Sequence, residues 1–288
     1  MNVEEVMERV EKVSKSYLPE PTDEKYATTL RKSNLKIKHT RAVIAICDEV
    51  ANVCNISKEN KEILLMAAAV HDIPGRDKQY KDYGTWIDKR CPKDHGTVGY
   101  ELLIENNYSL LKQVLGIDLP ESTCKIIADV VYWHCKEKIE VEDEVTKELL
   151  DCLITADGID LFRHRIEDDW EDMFTDTVPN EQQVAKSTFS PRLYEEFLKV
   201  KPGEILDFKY REAPLSEHYV DAILLNYAIA NKSTLIAKQT IVNMGYIDKL
   251  YNRFINVEFS QETKQQMNKV YEQTKYLIDC ALKDNVSN

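Results

Sequence analysis

The stretch Leu64-Leu65-Met66-Ala67-Ala68-Ala69-Val70-His71-Asp72 decides how this chain folds. An unbroken apolar run ends in an imidazole and a carboxylate side by side. Leu, Met and Ala are strong helix formers, and the run is far shorter than the ~20 residues of a membrane span. It reads as a buried helix whose last turn carries two metal-ligand side chains. One His-Asp pair arises by chance in any long chain, so the reading depends on what the rest of the sequence sets beside it.

The bulk numbers place that helix in an ordinary globular protein. The chain has 288 residues, 43% hydrophobic and 31% charged, with only 8 Gly and 9 Pro. Few turn formers and abundant Leu, Ile, Glu and Lys point to an all-α fold. A formal net charge of −12 argues against general nucleic-acid binding through a basic surface, although a local basic pocket can still hold a small anion. The seven Cys, at 47, 54, 91, 124, 135, 152 and 280, form no CxxC pair and fall mostly on apolar faces. They read as buried free thiols in a reducing cytoplasm. The first residues, Met1-Asn2-Val3-Glu4-Glu5, are acidic and amphipathic, unlike a signal peptide. The expected setting is cytoplasmic, without a membrane anchor.

Residues 3–17 show one apolar stripe (Val3, Val6, Met7, Val10, Val13) that Pro19 and Pro21 terminate. A polar linker is expected to about 34. The next helix, about 35–54, puts His39 on a face with Val43, Ile46, Cys47, Val50 and Cys54. Ser57 is a natural N-cap for the helix that ends at His71-Asp72. Pro74-Gly75 breaks it, and 76–94 reads as a long polar loop, of the length that often forms a lid. Asp94 caps a helix starting at His95. A helix near 122–137 aligns Ile126, Ile127, Val130, Val131 and His134, and the next aligns Leu149, Leu150, Leu153, Ile154, Asp157 and Leu161. Acidic sequence after Ile166 is the expected boundary. Further helices are predicted near 192–200, 215–231, 233–244, 246–256 and 260–283.

Collected in order, the inward-facing ligand types are His39, His71, Asp72, His95, His134 and Asp157. A buried unpaired carboxylate is costly, so a core Asp needs a charged partner or a metal. Metal ligation answers that cost for all six side chains at once, and helices facing one another in a bundle are where such sites form. Mixed imidazole and carboxylate ligands suit transition metals. His164 and His218 lack this alignment and read as ordinary structural histidines.

The order H…HD…H…H…D resembles the HD-domain superfamily of metal-dependent phosphohydrolases. Three phrases carry the resemblance: Lys38-His39-Thr40, Ala69-Val70-His71-Asp72-Ile73 and Ala156-Asp157-Gly158-Ile159-Asp160. It is similar within that superfamily to bacterial proteins with HDIGRF-like, Tyr-Gly-Thr-Phe, DHAELG-like and AD-x-ID-x-F phrases. Here these correspond to His71 to Asp77, Tyr83-Gly84-Thr85-Trp86, Asp94 to Gly99 and Ala156 to Phe162. Pro74 and Asp77 depart from that pattern, which bears on the placement of Arg76. The resemblance implies an HD-domain helical bundle over 35–166, preceded by an N-terminal helix and linker at 1–34. A helical extension at 167–288 would pack on the core, cover the site or make a homodimer contact.

It also implies His39, His71, Asp72 and Asp157 on one metal, with Asp72 bridging to a second held by His95 and His134. The expected ions are two divalent transition metals, with Mn, Fe, Zn or Ni ahead of Mg. His71, Asp72 and Arg76 would then serve catalysis around a metal-activated water. Arg76 is the expected phosphate contact, joined by Lys38, Arg163 and Gln79 in substrate binding, with Tyr83 and Trp86 near a base or sugar. Lys36, Lys78 and Arg165 read as solvated surface. The expected substrate is a phosphomonoester or phosphodiester of nucleotide-like character. Two rival readings share the ligand set: a di-iron oxygenase and a nucleotide-sensing module without turnover. Replacing Asp72 with Ala should remove both metal and activity, while His164→Ala should keep both, as metal content of the purified variants would reveal.

Overall fold

The computed structural model describes residues 2–170, 172 and 179–283. Among them there is no strand, and no helix is long and apolar enough to cross a membrane. The chain divides into two compact units, Met1–Asp160 and Leu161–Asn288.

The first unit begins with α1 (Val3–Lys15), α2 (Tyr26–Val53) and α3 (Lys58–Val70). It continues with α4 (Gly75–Tyr83), α5 (His95–Leu115), α6 (Glu121–Trp133) and most of α7 (Glu144–Glu167). Helix α3 is central, packing against α2, α5 and α6. Ala67, Ala68, Ala69 and Val70 on it are fully buried, and small side chains let neighbouring backbones approach. Around it lie Val43, Ile46, Val50, Leu103, Ile127, Val131, Leu149 and Leu153, all fully buried. As the sequence implies, Ser57 caps α3, its side chain accepting from the Asn60 amide at 3.1 Å. Asp94 caps α5 through the Thr97 amide at 2.8 Å.

The structure corrects two features of the sequence reading. Helix α2 starts at Tyr26, within the expected linker, and a buried Ser14–Ser33 hydroxyl pair at 2.6 Å ties it to α1. Residues 75–83 form α4, where a loop is expected from 76 to 94. Arg76 to Tyr83 shows no apolar periodicity because the buried face of α4 is polar, carrying Asp77 and Gln79. Pro74 ends α3 and also precedes the first turn of α4, a position proline tolerates well. The remaining loop to Asp94 contains a 3-10 turn, Asp88–Arg90.

The second unit contains the end of α7, then α8 (Glu181–Ala185), α9 (Pro191–Phe197), α10 (Asp221–Lys232), α11 (Leu235–Asn243), α12 (Tyr246–Ile255) and α13 (Gln261–Lys283). Helices α10, α11 and α12 each pack on α13. Helix α8 was not expected from its polar sequence; it starts on a capping box made by Asn180 and Gln183. Part of the acidic stretch after Ile166, at Glu171, lies outside the described residues, as do 173–178.

Helices α4 and α5 touch through glycine. A Cβ at Gly75 would collide with the His95 carbonyl and lie 3.0 Å from the Gly99 amide, both rigid backbone. Gly158, inside α7, has nothing within 4 Å of its virtual Cβ. Gly75→Ala should therefore cost about 2 kcal/mol by overpacking. Gly158→Ala should stabilise by roughly 0.5–1 kcal/mol through helix propensity. Urea denaturation of the two variants would check the opposite signs.

Candidate metal centre

Four imidazoles and two carboxylates from five helices of the first unit converge, and the way each ring is held follows from its place on its helix. His71 and His134 are the C-cap residues of α3 and α6. The last four carbonyls of a helix lack intrahelical partners. His71 Nδ1 lies 2.8 Å from the Ala68 carbonyl and His134 Nδ1 lies 2.7 Å from the Val131 carbonyl, each three residues back. His39 sits inside α2, where carbonyls are already used, and its Nδ1 meets the Asp160 carboxylate at 2.7 Å. His95 opens α5, an end that offers amides rather than carbonyls, and its Nδ1 meets Asp88 at 3.0 Å.

With an acceptor at every Nδ1, the proton of each neutral ring resides there and the Nε2 lone pair faces inward. His39 Nε2 is 3.3 Å from His71 Nε2, and His95 Nε2 is 2.9 Å from His134 Nε2. Lone pairs aimed at one another repel unless a cation lies between them. The donor set therefore fits a metal.

Asp72 joins the two pairs. Its Oδ2 is 3.3 Å from His39 Nε2, and its Oδ1 is 3.2 Å from His95 Nε2. Asp157 Oδ1 completes the first pair, 3.1 Å from His39 Nε2 and 3.9 Å from His71 Nε2. Asp157 is the most open of the six, its side chain 39% exposed against 4% for Asp72.

The electrostatics call for positive charge. Burial opposes ionisation of Asp72, yet Lys36 and the imidazoles of His71, His39 and His95 hold its pKa well below the usual carboxylate range. Burial and Lys36 push His39 down, but Asp157, Asp160 and Asp72 outweigh them and raise it to about 10. Burial, with His95 and His71 close by, lowers His134 to about 3, and burial also lowers His71, so these two rings are neutral donors at physiological pH.

The expected substrate-binding residues fare differently. Arg76 reaches the centre, its Nε 3.2 Å from Asp72 Oδ1, and its Nη1 also bonds the Trp86 carbonyl at 3.0 Å and Asp88 at 3.2 Å. Gln79 is fully buried, and its amide donates to Asp88 at 2.8 Å and to the Lys93 carbonyl at 3.1 Å. Lys38 lies on the exposed side of α2, and the lysine that reaches the centre is Lys36, one helical turn before His39, with Nζ 2.6 Å from Asp72 Oδ2. Lys36 is thus not the surface residue the sequence suggested. Arg163, in the second unit, is buried and paired with Asp168 at 2.6 Å rather than offered to a ligand. His164 also bonds Asp168, and His218 Nδ1 meets the Thr188 carbonyl at 2.9 Å, in keeping with structural roles.

Three contributors escaped the sequence reading: Lys36, Asp88 and Asp160. Lys36 and Asp160 were detectable, since each stands three residues from a ligand on one helix and so shares its face. Asp88 comes from a loop turn with no such periodicity. Although burial opposes it, hydrogen bonds from His95 and Gln79 and the Arg76 charge hold the Asp88 carboxyl below its ordinary range. Its ionised form orients His95. Asp88→Asn should weaken metal binding at the His95–His134 pair by about 10–100-fold, with little change at His39 and His71, as a metal-titration calorimetry experiment would resolve.

Residues 37–161 match the family model described as the HD domain, a span that includes His39, His71, Asp72, His95, His134 and Asp157. No curated protein and no solved structure matches the chain. With that match laid over an all-helical bundle and its converging histidines and aspartates, residues 37–161 form an HD domain, the domain of a superfamily of metal-dependent phosphohydrolases.

Proposed function

We propose that this protein is a phosphohydrolase with a dinuclear metal centre, acting on a phosphomonoester or phosphodiester of nucleotide-like character. The observation that carries this reading is the Asp72 carboxylate, which turns one oxygen to the His39 side and the other to the His95 side. His39, His71, Asp157 and Asp72 would hold one ion; His95, His134 and Asp72 would hold the other. Bound metal in such a pair supplies a water of lowered pKa and neutralises charge developing on phosphate oxygens.

The chain's own residues prepare that chemistry. Ala68, Val131, Asp88 and Asp160 fix the imidazole tautomers, so the donors are arranged before any ligand arrives. Both helix C-termini, of α3 and α6, direct the negative ends of their dipoles toward the centre, which favours cations there. Lys36 and Arg76 now neutralise Asp72. With metal bound at Asp72, the Lys36 ammonium and Arg76 guanidinium, both beside that carboxylate, would be placed to meet phosphate oxygens, Arg76 as a planar fork. Lys36 keeps a route to solvent with its side chain 30% exposed, as a residue meeting an incoming substrate must.

Metal analysis of fresh protein, with hydrolysis of p-nitrophenyl and bis-p-nitrophenyl phosphate under added Mn²⁺, tests the proposal. The expected result is about two metal ions per chain with turnover of one ester. Lys36→Met should lower kcat/KM about tenfold or more, the scale of one lost charge-assisted hydrogen bond. Iron with oxygen-dependent product and no hydrolysis would favour oxygen chemistry. Ligand-induced stabilisation by nucleotides without turnover would favour a sensor.

A further inference from the structure

We infer that Cys135 is a protein ligand of the His95–His134 half of the centre, making that half a nitrogen–sulfur site for a thiophilic divalent ion. The inference rests on the dinuclear reading and deepens it. The two halves then differ in kind beside the shared Asp72: nitrogen and oxygen at His39, His71 and Asp157, nitrogen and sulfur at His95, His134 and Cys135.

Two observations carry it. First, the ligand atoms of His95, His134 and Cys135 all lie within 4.8 Å of one another. Bonds of ~2.0–2.1 Å to nitrogen and ~2.3 Å to sulfur bring such atoms somewhat closer still, so only small side-chain adjustments are needed. Second, the fold leaves a place for the sulfur. A Cβ at Gly96 would lie 2.7 Å from Cys135 Sγ and 2.9 Å from the Tyr132 and Val131 carbonyls. Only glycine at that position lets the turn after α6 seat its sulfur against the first turn of α5, beside His95.

The chemistry balances simply. Coordination forms a metal–sulfur bond, breaks the S–H bond and releases one proton to solvent. Thiolate ligands select zinc, cobalt or cadmium over magnesium and manganese, which prefer oxygen. The His95–His134 half should therefore retain zinc where the His39–His71 half exchanges more readily.

Cobalt(II) reports the bond directly. Metal-stripped full-length protein titrated with Co²⁺ should develop a near-ultraviolet sulfur-to-cobalt charge-transfer band along with visible ligand-field bands. Cys135→Ser should lose the charge-transfer band, keep ligand-field absorption from the other half, and bind one equivalent about tenfold or more weakly. Cys124→Ser, a buried thiol elsewhere on α6, should keep the band and so controls for general thiol effects. Cobalt uptake without any sulfur band, or a band that survives in Cys135→Ser, overturns the assignment and leaves the dinuclear reading standing. No cobalt uptake under any condition overturns both.

Discussion

A buried carboxylate among imidazoles is the constraint on which the rest of this structure depends. Asp72 is 2% exposed, and an ionised carboxylate at that depth is tolerated only with compensating charge. Its surroundings supply it from two sides. Lys36 and His39 face one oxygen, Arg76 and His95 the other. The helices that deliver those groups, α2, α4 and α5, must therefore pack about the end of α3, and α3 is correspondingly built from alanines that let them come close.

The supports of the four histidines show how a helical bundle economises on polar groups. A ring at a helix C-terminus borrows a carbonyl that the helix leaves unpaired, as His71 and His134 do. A ring elsewhere requires a carboxylate, so Asp160 and Asp88 appear. Asp160 is accordingly buried, while Asp88 stays partly open with its side chain 31% exposed. Gln79 and Arg76 thereby have a shared task, since both hold Asp88, which in turn holds His95.

The polar face of α4 belongs to the same scheme. Gln79 on it is buried although polar because it holds Asp88, which supports the centre. Burial raises Asp77 there to about 6, above the ordinary carboxylate range, with Ser14 and Lys36 opposing and Asp72 adding to the rise. Such a helix conceals itself from any reading based on apolar periodicity.

The sequence by itself determined the all-α class, the caps at Ser57 and Asp94, and the six converging side chains. Each of these is a local property: an apolar stripe at helical spacing and a ligand type upon it. The placement of His39 beside Val43 and Ile46, or of Asp157 beside Leu153 and Leu161, already states that it points inward. What only the tertiary structure decided is which partner each polar group meets. Gln79, Lys38 and Arg163 have the chemistry of phosphate or sugar contacts, yet Gln79 is spent on Asp88, Arg163 on Asp168, and Lys36 rather than Lys38 turns toward Asp72. Two helical positions, about 200° of rotation, put those two lysines on opposite sides of α2. Long-range pairings such as Asp88 with His95 or Cys135 with Gly96 depend on how helices abut, and no periodicity along one segment encodes that.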